Sequence, residues 1–176
     1  EALDGRETAP SSVKPDLFLL PDGKPMGMQQ AVVGGRAVGV PGAVRMLEQA
    51  HRLHGRLPWA QLFEPAIDLA RQGFRVSPRL HALLLGDTPL RSDPVARAYF
   101  YRADGSPHEV GHLLINLPLA DVLRRIASEG ASALHQGEVA QAILAAVHRH
   151  PTNPGQLSMA DLAAYRPVRR EAICFD

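Results

Sequence analysis

The sequence predicts a mainly α-helical segment with extended ends. Three observations indicate this fold class: residues 1–40 are rich in proline and turn pairs, residues 41–165 repeat apolar side chains at helical spacing, and residues 166–176 begin a strand. The 176 residues suit one partial domain over residues 1–176, because a chain of this length can bury a core without disulfides or bound metal ions.

Charge and composition exclude several classes of function. The 19 basic and 18 acidic residues leave a formal net charge of +1, so there is no electrostatic case for binding nucleic acid or an anionic membrane. The single cysteine, Cys174, excludes an internal disulfide. No apolar run approaches the ~20 residues of a membrane-spanning helix. The chain starts without methionine or a signal peptide and stops without a cap, so we expect both ends to be cuts in a longer protein.

The elements follow from local signals in chain order. Four prolines and the pair Asp22-Gly23 predict turns and extended segments in residues 1–40. A first helix is predicted from Pro41, placed in its first turn, to a stop at Gly55. A second is predicted between Pro58 and Gly73, and Pro65 should bend it or split off its first turn. The apolar residues at helical spacing in these two helices are Val44, Leu47, Ala50 and Leu53, then Trp59, Leu62, Phe63, Ala66, Ile67 and Ala70.

Helix-start signals continue through the second half of the chain. Ser77-Pro78 predicts a short third helix, and Ser92-Asp93-Pro94 marks a fourth. A strong helix is predicted over 116–129, another over 137–150, and a last one after the pair Ser158 and Asp161, which is typical of a capping box. The residues predicted to face inward are Leu119, Val122, Leu123 and Ile126 in the first of these, and Val139, Ile143, Ala146 and Val147 in the second.

The stretch HEVGH at 108–112 matches the zinc-protease pattern H-E-x-x-H. On a helix, His108 and His112 would share one face, and Glu109 would act as general base. Ser106 and Glu109 could form a capping box that starts such a helix. Against this, Gly111 lies within the motif, and Asp104-Gly105 between apolar runs is equally typical of a hairpin turn.

A zinc site would also need a third ligand. Ile115 and Pro118 stand where the metzincin continuation requires glycine and histidine. Glu129 and Glu138 could serve in principle, but both lie on polar faces of predicted amphipathic helices. We therefore favour solvated loop histidines and expect no metal.

Two other patterns have ordinary explanations. GGRAVGVPG at 34–42 resembles a phosphate-binding loop, but it lacks the lysine of that motif, and Pro41 removes one amide, so we favour a tight turn before a helix. No G-x-S-x-G occurs, and Cys174 has no activating neighbour. The remaining histidines are expected to be surface residues, and no partner is expected for His81 or His135. They are His51, His54, His81, His135, His148 and His150.

Several segments, in order, resemble the large subunit of the gamma-glutamyltransferase (gamma-glutamyltranspeptidase) family. LDGRETAP at 3–10 is similar to the family element D-x-R-E-x-A-P, and VGVPGAVRML at 38–47 to its G-x-P-G-x-V element. The stretch 55–80 is similar nearly throughout to G-x-L-P-W-x-x-L-x-x-P-A-I-x-L-A-x-x-G-F. Residues 119–143 and 157–173 follow the later large-subunit pattern, so the resemblance covers almost the whole chain. At 133–137, ALHQG departs from the aromatic-glycine form of the family.

The resemblance implies an N-terminal-nucleophile hydrolase with a four-layer αββα fold, made as a precursor that cleaves itself into large and small subunits. The new N-terminal threonine of the small subunit attacks the gamma-glutamyl amide of glutathione or a similar compound, and the acyl group passes to water or an amino acid. Backbone amides stabilise the oxyanion. The implied partners are a gamma-glutamyl substrate and the small subunit, no cofactor is expected, and the implied location is the periplasm or the exterior.

One functional residue carries over. The arginine of D-x-R-E-x-A-P holds the α-carboxylate of the substrate, and here that residue is Arg6. A guanidinium fork matches a carboxylate with two parallel hydrogen bonds, which lysine cannot make. None of the threonines, Thr8, Thr88 and Thr152, lies in the T-T-H context of the nucleophile, so this segment alone is expected to be inactive.

Three alternatives remain open at the level of sequence. A cephalosporin-acylase-like amidase would share the scaffold but not the substrate. A helical interaction module would have no chemistry, and an independent zinc protease would depend on HEVGH.

Overall fold

The computed structural model describes residues 1–174, which form two compact units. Unit 1 contains Glu1–Leu62 and Arg125–Asp176, and unit 2 contains Phe63–Arg124. Of the strand predicted for residues 166–176, the last two positions lie outside the described residues. The expectation of one partial domain stays a prediction, because two compact units can still belong to one folding domain.

Helices dominate residues 1–174, and a 3₁₀ turn, Trp59–Phe63, precedes the third of them. The helices are α1 Met28–Val32, α2 Ala43–His54, α3 Glu64–Gln72, α4 Pro78–Gly86, α5 Thr88–Ser92, α6 Pro94–Phe100, α7 Leu117–Glu129, α8 Ser132–His135, α9 Gly137–His148 and α10 Met159–Ala164. The strands are β1 Ala2–Asp4, β2 Phe74–Arg75, β3 Leu113–Leu114 and β4 Val168–Arg170. The predicted class, mainly α with extended ends, is confirmed.

The two extended ends pair with each other. β1 and β4 form an antiparallel two-stranded sheet in which Ala2 lies opposite Arg170 and Asp4 opposite Val168. The Asp4 carboxylate accepts hydrogen bonds from Nε and Nη2 of Arg170, at 2.8 and 2.5 Å. The sequence predicted both extended segments but not their pairing, which depends on residues far apart in the chain.

Most of the predicted helix boundaries are present. Pro65 splits the second predicted helix into the 3₁₀ turn and α3, which ends at Gly73 with φ 88°. The Ser77 side chain accepts from the Leu80 amide at the start of α4, and Asp93 caps α6 in the same way. At α10 the Ser158–Asp161 capping box is complete.

Several details of the sequence prediction are wrong. The first predicted helix begins at Ala43 with Gly42 as N-cap, so Pro41 precedes the cap and does not lie in the first turn. A short helix, α1, lies in the segment 1–40, which was predicted to be extended, and α5 and α8 were not predicted. Short helices of this kind have no apolar period long enough to detect.

The buried faces of two helices agree with the prediction only in part. On α7, Ile126 is buried as predicted and Val122 and Leu123 are half-buried, but Leu119 is 46% exposed and Ala120 is buried. On α9, Val147 is buried as predicted, but Ala146 is exposed, and Ala140 and Leu144 are buried. The core of unit 1 consists of Val40, Ala140, Leu144, Val147, Leu157, Leu162 and Tyr165.

Unit 2 contains α3 to α6 and the small β2–β3 ladder, in which Phe74 pairs with Leu114 and Arg75 with Leu113. The buried Tyr101 donates its hydroxyl to the Leu84 carbonyl at 3.0 Å. Among the described residues, no helix is long and apolar enough to cross a membrane.

Candidate functional site

The loop that carries Arg6 is held by strand pairing on both sides. It begins where β1 ends at Asp4 and stops at Thr8, which forms an antiparallel bridge with Val40. The Val40 amide donates to the Thr8 carbonyl at 2.8 Å. The paired ends confine Arg6 to a three-residue loop between two points of attachment.

The Arg6 side chain extends into solvent. It is 82% exposed, and its Nε lies 3.5 Å from Oε1 of the neighbouring Glu7. An exposed pair of this kind stabilises a fold little. The guanidinium is therefore accessible to a ligand, and its two-donor edge suits a carboxylate.

The backbone of Arg6, in contrast, is tightly held. Its amide donates to Oδ1 of Asp4 at 3.0 Å, and its carbonyl accepts from the Tyr165 hydroxyl at 2.8 Å. The Arg6 backbone amide, followed by Arg170, lowers the pKa of Asp4, so this carboxylate keeps the charge that both donors need. Neither Asp4 nor Tyr165 was predicted as a site residue: Asp4 lies in the motif of Arg6 but no role was assigned to it, and Tyr165 is 159 positions away.

A concavity of about 220 Å³ lies beside this loop in unit 1. Its ionisable side chains are those of Glu7 and His135. The lining residues are Gly5, Glu7, Pro41, Gly42, Ala43, Val44, Leu134 and His135. The predicted turn before α2 therefore forms one wall of the space next to Arg6.

The prediction that His135 is a surface residue without partners is wrong. Its side chain is buried, its Nδ1 donates to the Leu162 carbonyl at 2.9 Å, and its ring stacks on Tyr165 with centroids 6.0 Å apart. Burial lowers the pKa of His135, which favours the neutral ring. His81 also has a partner, because its Nδ1 lies 2.9 Å from the His108 carbonyl.

The glycine-rich stretch 34–42 forms the predicted turn. Gly34 has φ 115°, and the amides of Gly35 and Arg36 both donate to the Asn153 carbonyl, at 2.8 and 3.1 Å. A Cβ on Gly35 would lie 1.9 Å from the Val147 carbonyl oxygen. These glycines permit close packing between backbones, and the amides of Gly35, Arg36, Val38 and Val40 already have backbone partners.

The HEVGH stretch is a turn and not a helix. Tyr101 bridges Pro107, and the Gly105 amide donates to the Arg102 carbonyl at 2.9 Å, so the predicted Asp104-Gly105 hairpin is present. Gly111 has φ 90°, which no helix contains. The helical geometry that the zinc pattern requires is therefore absent from this stretch.

The motif side chains have other contacts. The His108 and His112 rings stack face to face, with centroids 3.8 Å apart and an interplanar angle of 3°. Oε1 of Glu109 accepts from Arg102 at 3.1 Å, and Glu138 is paired with Arg125 at 2.7 Å. Burial is the main cause that lowers the pKa of His108, and the charges of His112 and Arg102 lower it further. In the described part of the chain, no cluster of three or more His, Cys, Asp or Glu residues could hold a metal ion.

The threonines are all in structural positions. Thr8 lies in the bridge to Val40, Thr88 is the first residue of α5, and Thr152 lies in the loop between α9 and α10. Each lies inside the chain and has no free amine beside its hydroxyl.

Comparison with known proteins identifies the family of the chain. The sequence matches the gamma-glutamyltranspeptidase family over residues 1–176, and the chain belongs to this family. A glutathione hydrolase proenzyme from Arthroderma benhamiae is 35% identical over 173 residues, which are 97% of this chain and 28% of that protein. The gamma-glutamyltranspeptidase structure from Helicobacter pylori matches with a TM-score of 0.85 and 30% identity, over 94% of this chain and 47% of that one.

A cephalosporin acylase from Bacillus halodurans is also similar in structure. It matches with a TM-score of 0.75 and 29% identity, over 99% of this chain and 32% of that one. The chain thus spans between a quarter and a half of the proteins it matches, as the coverages of 28% and 47% show.

Proposed function

We propose that this chain is part of the large subunit of an enzyme that cleaves gamma-glutamyl amides such as glutathione and transfers the gamma-glutamyl group to water or an amino acid. The observation that carries the proposal is the family match over residues 1–176, within which LDGRETAP presents an accessible Arg6. The proposed parent fold is the four-layer αββα sandwich, whose central sheets lie outside this segment.

In the proposed reaction the Arg6 guanidinium binds the α-carboxylate of the donor through two parallel hydrogen bonds. A threonine hydroxyl at the N-terminus of the small subunit attacks the γ-carbonyl carbon and gives its proton to its own amine. The C–N bond breaks, the leaving amine takes up that proton, and an ester remains. Water or the amine of an amino acid then attacks the ester and releases the threonine.

Substitution of Arg6 tests this role in the full-length enzyme. Arg6→Ala should raise KM for a gamma-glutamyl anilide about 100-fold, because two charge-assisted hydrogen bonds are lost. Arg6→Lys should recover only part of the affinity, since an ammonium group cannot donate two parallel hydrogen bonds to one carboxylate. The matched control is Arg79→Ala, which removes another exposed arginine, on α4. An unchanged KM in Arg6→Ala would remove Arg6 from the substrate site.

We propose further that the segment alone is inactive, because none of its threonines has an adjacent free amine. The purified chain should release no p-nitroaniline from a gamma-glutamyl anilide, whereas the full-length enzyme should. Turnover by the purified chain that survives Thr8→Ala, Thr88→Ala and Thr152→Ala together would require a different nucleophile and contradict the proposal.

A second candidate is an amidase that acts on cephalosporin side chains, favoured by the structural likeness to the Bacillus halodurans acylase. The two substrates separate the candidates. The full-length enzyme should turn over the gamma-glutamyl anilide with a kcat/KM well above that for a cephalosporin side-chain amide, and the reverse order would favour the amidase.

We also propose that the parent protein acts in the periplasm or outside the cell, with a small subunit from the same precursor as its partner. The resemblance of the sequence to exported enzymes supports this location. Fractionation of cells that express the full-length protein should place it outside the cytoplasm, together with a second, smaller fragment. A single uncleaved cytoplasmic chain would contradict both statements.

A further inference from the structure

In the part of the chain that the structure describes, Arg6 is held by its backbone, whereas its side chain extends into solvent. The guanidinium is 82% exposed, and its neighbour Glu7 is exposed as well. A free arginine side chain populates many rotamers, so a binding site gains affinity when the origin of that side chain is fixed. Two hydrogen bonds hold this origin, one at the amide of Arg6 and one at its carbonyl.

Both bonds come from side chains that are themselves held in place. Tyr165 is 6% exposed, lies in the core of unit 1, and stacks on the buried His135. Asp4 is oriented by two nitrogens of Arg170 on β4. Burial, with the negative charges of Asp4 and Glu7, raises the pKa of Tyr165, so its hydroxyl keeps the proton that it donates.

Two glycines allow this arrangement. A Cβ on Gly42 would lie 2.0 Å from the Tyr165 hydroxyl oxygen, and a Cβ on Gly5 would lie 2.2 Å from Cβ of Met46 on α2. The Arg6 loop therefore packs directly against α2 and the phenol, with no room for an intervening side chain. Such contact makes the position of the Arg6 backbone depend on the Tyr165 hydroxyl.

We propose that Tyr165 and Asp4 are positioning residues that aim Arg6 at the α-carboxylate of the gamma-glutamyl donor, by binding its backbone carbonyl and amide. The proposal rests on the carboxylate-binding role proposed for Arg6. Loss of either bond lets the loop move, so the guanidinium meets the carboxylate with poorer alignment. The expected consequence is weaker binding of the α-carboxylate, without a general loss of activity.

A pair of substrates measures the contribution of the α-carboxylate in the full-length enzyme. A gamma-glutamyl anilide carries the α-carboxylate, whereas the 4-aminobutanoyl anilide has the same amine and leaving group but no carboxylate. Tyr165→Phe keeps the ring and its stacking and removes only the hydroxyl. It should raise KM for the first substrate about fivefold to tenfold, with kcat within about twofold, as expected for one lost hydrogen bond. Its kcat/KM for the second substrate should not change.

The matched control is Tyr101→Phe in unit 2. Tyr101 is also buried and also donates its hydroxyl to a backbone carbonyl, that of Leu84. Both variants should lower the unfolding midpoint to a similar degree, but Tyr101→Phe should leave KM for both substrates unchanged. A purely structural role for Tyr165 would make the two variants behave alike, or reduce kcat/KM equally for both substrates, and either result would overturn the proposal.

Asp4→Asn supplies a second variant in case Tyr165→Phe does not fold. It keeps the shape of the side chain and weakens the bond to the Arg6 amide, so it should also act only on the carboxylate-bearing substrate. An equal effect on both substrates would overturn the proposal. If Arg6→Ala retains full preference for the carboxylate-bearing substrate, the proposed role of Arg6 fails. If Arg6→Ala loses that preference while Tyr165→Phe and Asp4→Asn keep it, only the positioning inference fails.

Discussion

At the scale of single residues, Arg6 combines an accessible side chain with a constrained backbone. Its guanidinium is exposed, whereas its amide and carbonyl are bonded to Asp4 and Tyr165. Sequence similarity indicated the arginine and placed Asp4 in the same motif, but it indicated neither the role of Asp4 in holding the backbone nor Tyr165. Tyr165 follows the predicted helix α10, and only its hydrogen bond to a residue 159 positions earlier connects it to the loop.

Asp161 is a second residue whose charge has a structural role near this loop. The carboxylate accepts from the amide and hydroxyl of Ser158, at 2.9 and 2.6 Å, and from the amide of Ser11 at 2.9 Å. Burial raises the pKa of Asp161, but the hydrogen bonds from Ser158 and Ser11 outweigh it and lower the pKa to about 2. One carboxylate thus connects the start of α10 with the segment that follows the Arg6 loop.

The lowered pKa predicts a stability that depends on pH. Because the folded pKa lies below the unfolded value of 3.8, the contribution is complete above pH 4 and disappears as pH falls towards 2. Asp161→Asn should therefore lower the free energy of unfolding by roughly 2 kcal/mol at pH 7, and the difference from the native chain should shrink below pH 4.

Urea unfolding of the chain between pH 2 and pH 7 measures this difference. Asp68→Asn is the control, since it makes the same charge change at an exposed position on α3. A difference between Asp161→Asn and the native chain that stays constant down to pH 2 would show that the Asp161 charge does not supply the stability.

At the scale of elements, the local signals predicted helix starts better than buried faces. The Ser158–Asp161 box, the Ser77 cap and the break at Pro65 depend on neighbouring residues and are present. The face that α9 buries depends on what packs against it, and there Leu144 is buried and Ala146 is exposed. Periodicity indicates an amphipathic helix but tolerates a shift of its buried face.

The turn before α2 offers a test of close packing. Gly35→Ala would place a Cβ 1.9 Å from the Val147 carbonyl oxygen and 2.6 Å from the Gly155 nitrogen, so the backbones would have to separate. We expect the free energy of unfolding to fall by about 3 kcal/mol or more, the upper end for overpacking, because backbone atoms cannot rotate away.

Gly86→Ala is the matched control, because Gly86 ends α4 and a Cβ there would meet nothing within 4 Å. This variant should leave stability unchanged or raise it by about 0.5 kcal/mol, since alanine favours helix. Chemical denaturation of both variants provides the comparison. Equal stabilities would contradict the prediction, because they would show that the backbone at Gly35 accommodates the added methyl group at little cost.

At the scale of the whole molecule, the chain leaves many large apolar side chains exposed. In unit 1, Met28 is 75% exposed and Leu47 53%, and in unit 2, Val95 is 71% exposed and Leu83 60%. Exposed apolar area of this extent is typical of a surface that another chain or segment covers. The isolated chain should therefore self-associate.

Sedimentation velocity over a range of concentrations tests this expectation. Leu113 on β3 and Ile115 just after it are 43% and 46% exposed, on either side of the buried Leu114. Replacing both with glutamine should weaken the association. A concentration-independent monomer for the unaltered chain would contradict the prediction.

The sequence by itself determined the helical class, most helix boundaries and the family, because each depends on local order or on motifs read in succession. Only the tertiary structure decided that β1 pairs with β4, that His135 is buried, and that Tyr165 and Asp4 hold Arg6. The β1–β4 pairing, the His135 contact with Leu162 and the Tyr165 hydrogen bond join residues that are distant in the chain, whereas Asp4 lies two positions from Arg6 and is itself oriented by the distant Arg170. Their physical origin is packing and hydrogen bonding across that distance, which no local pattern encodes.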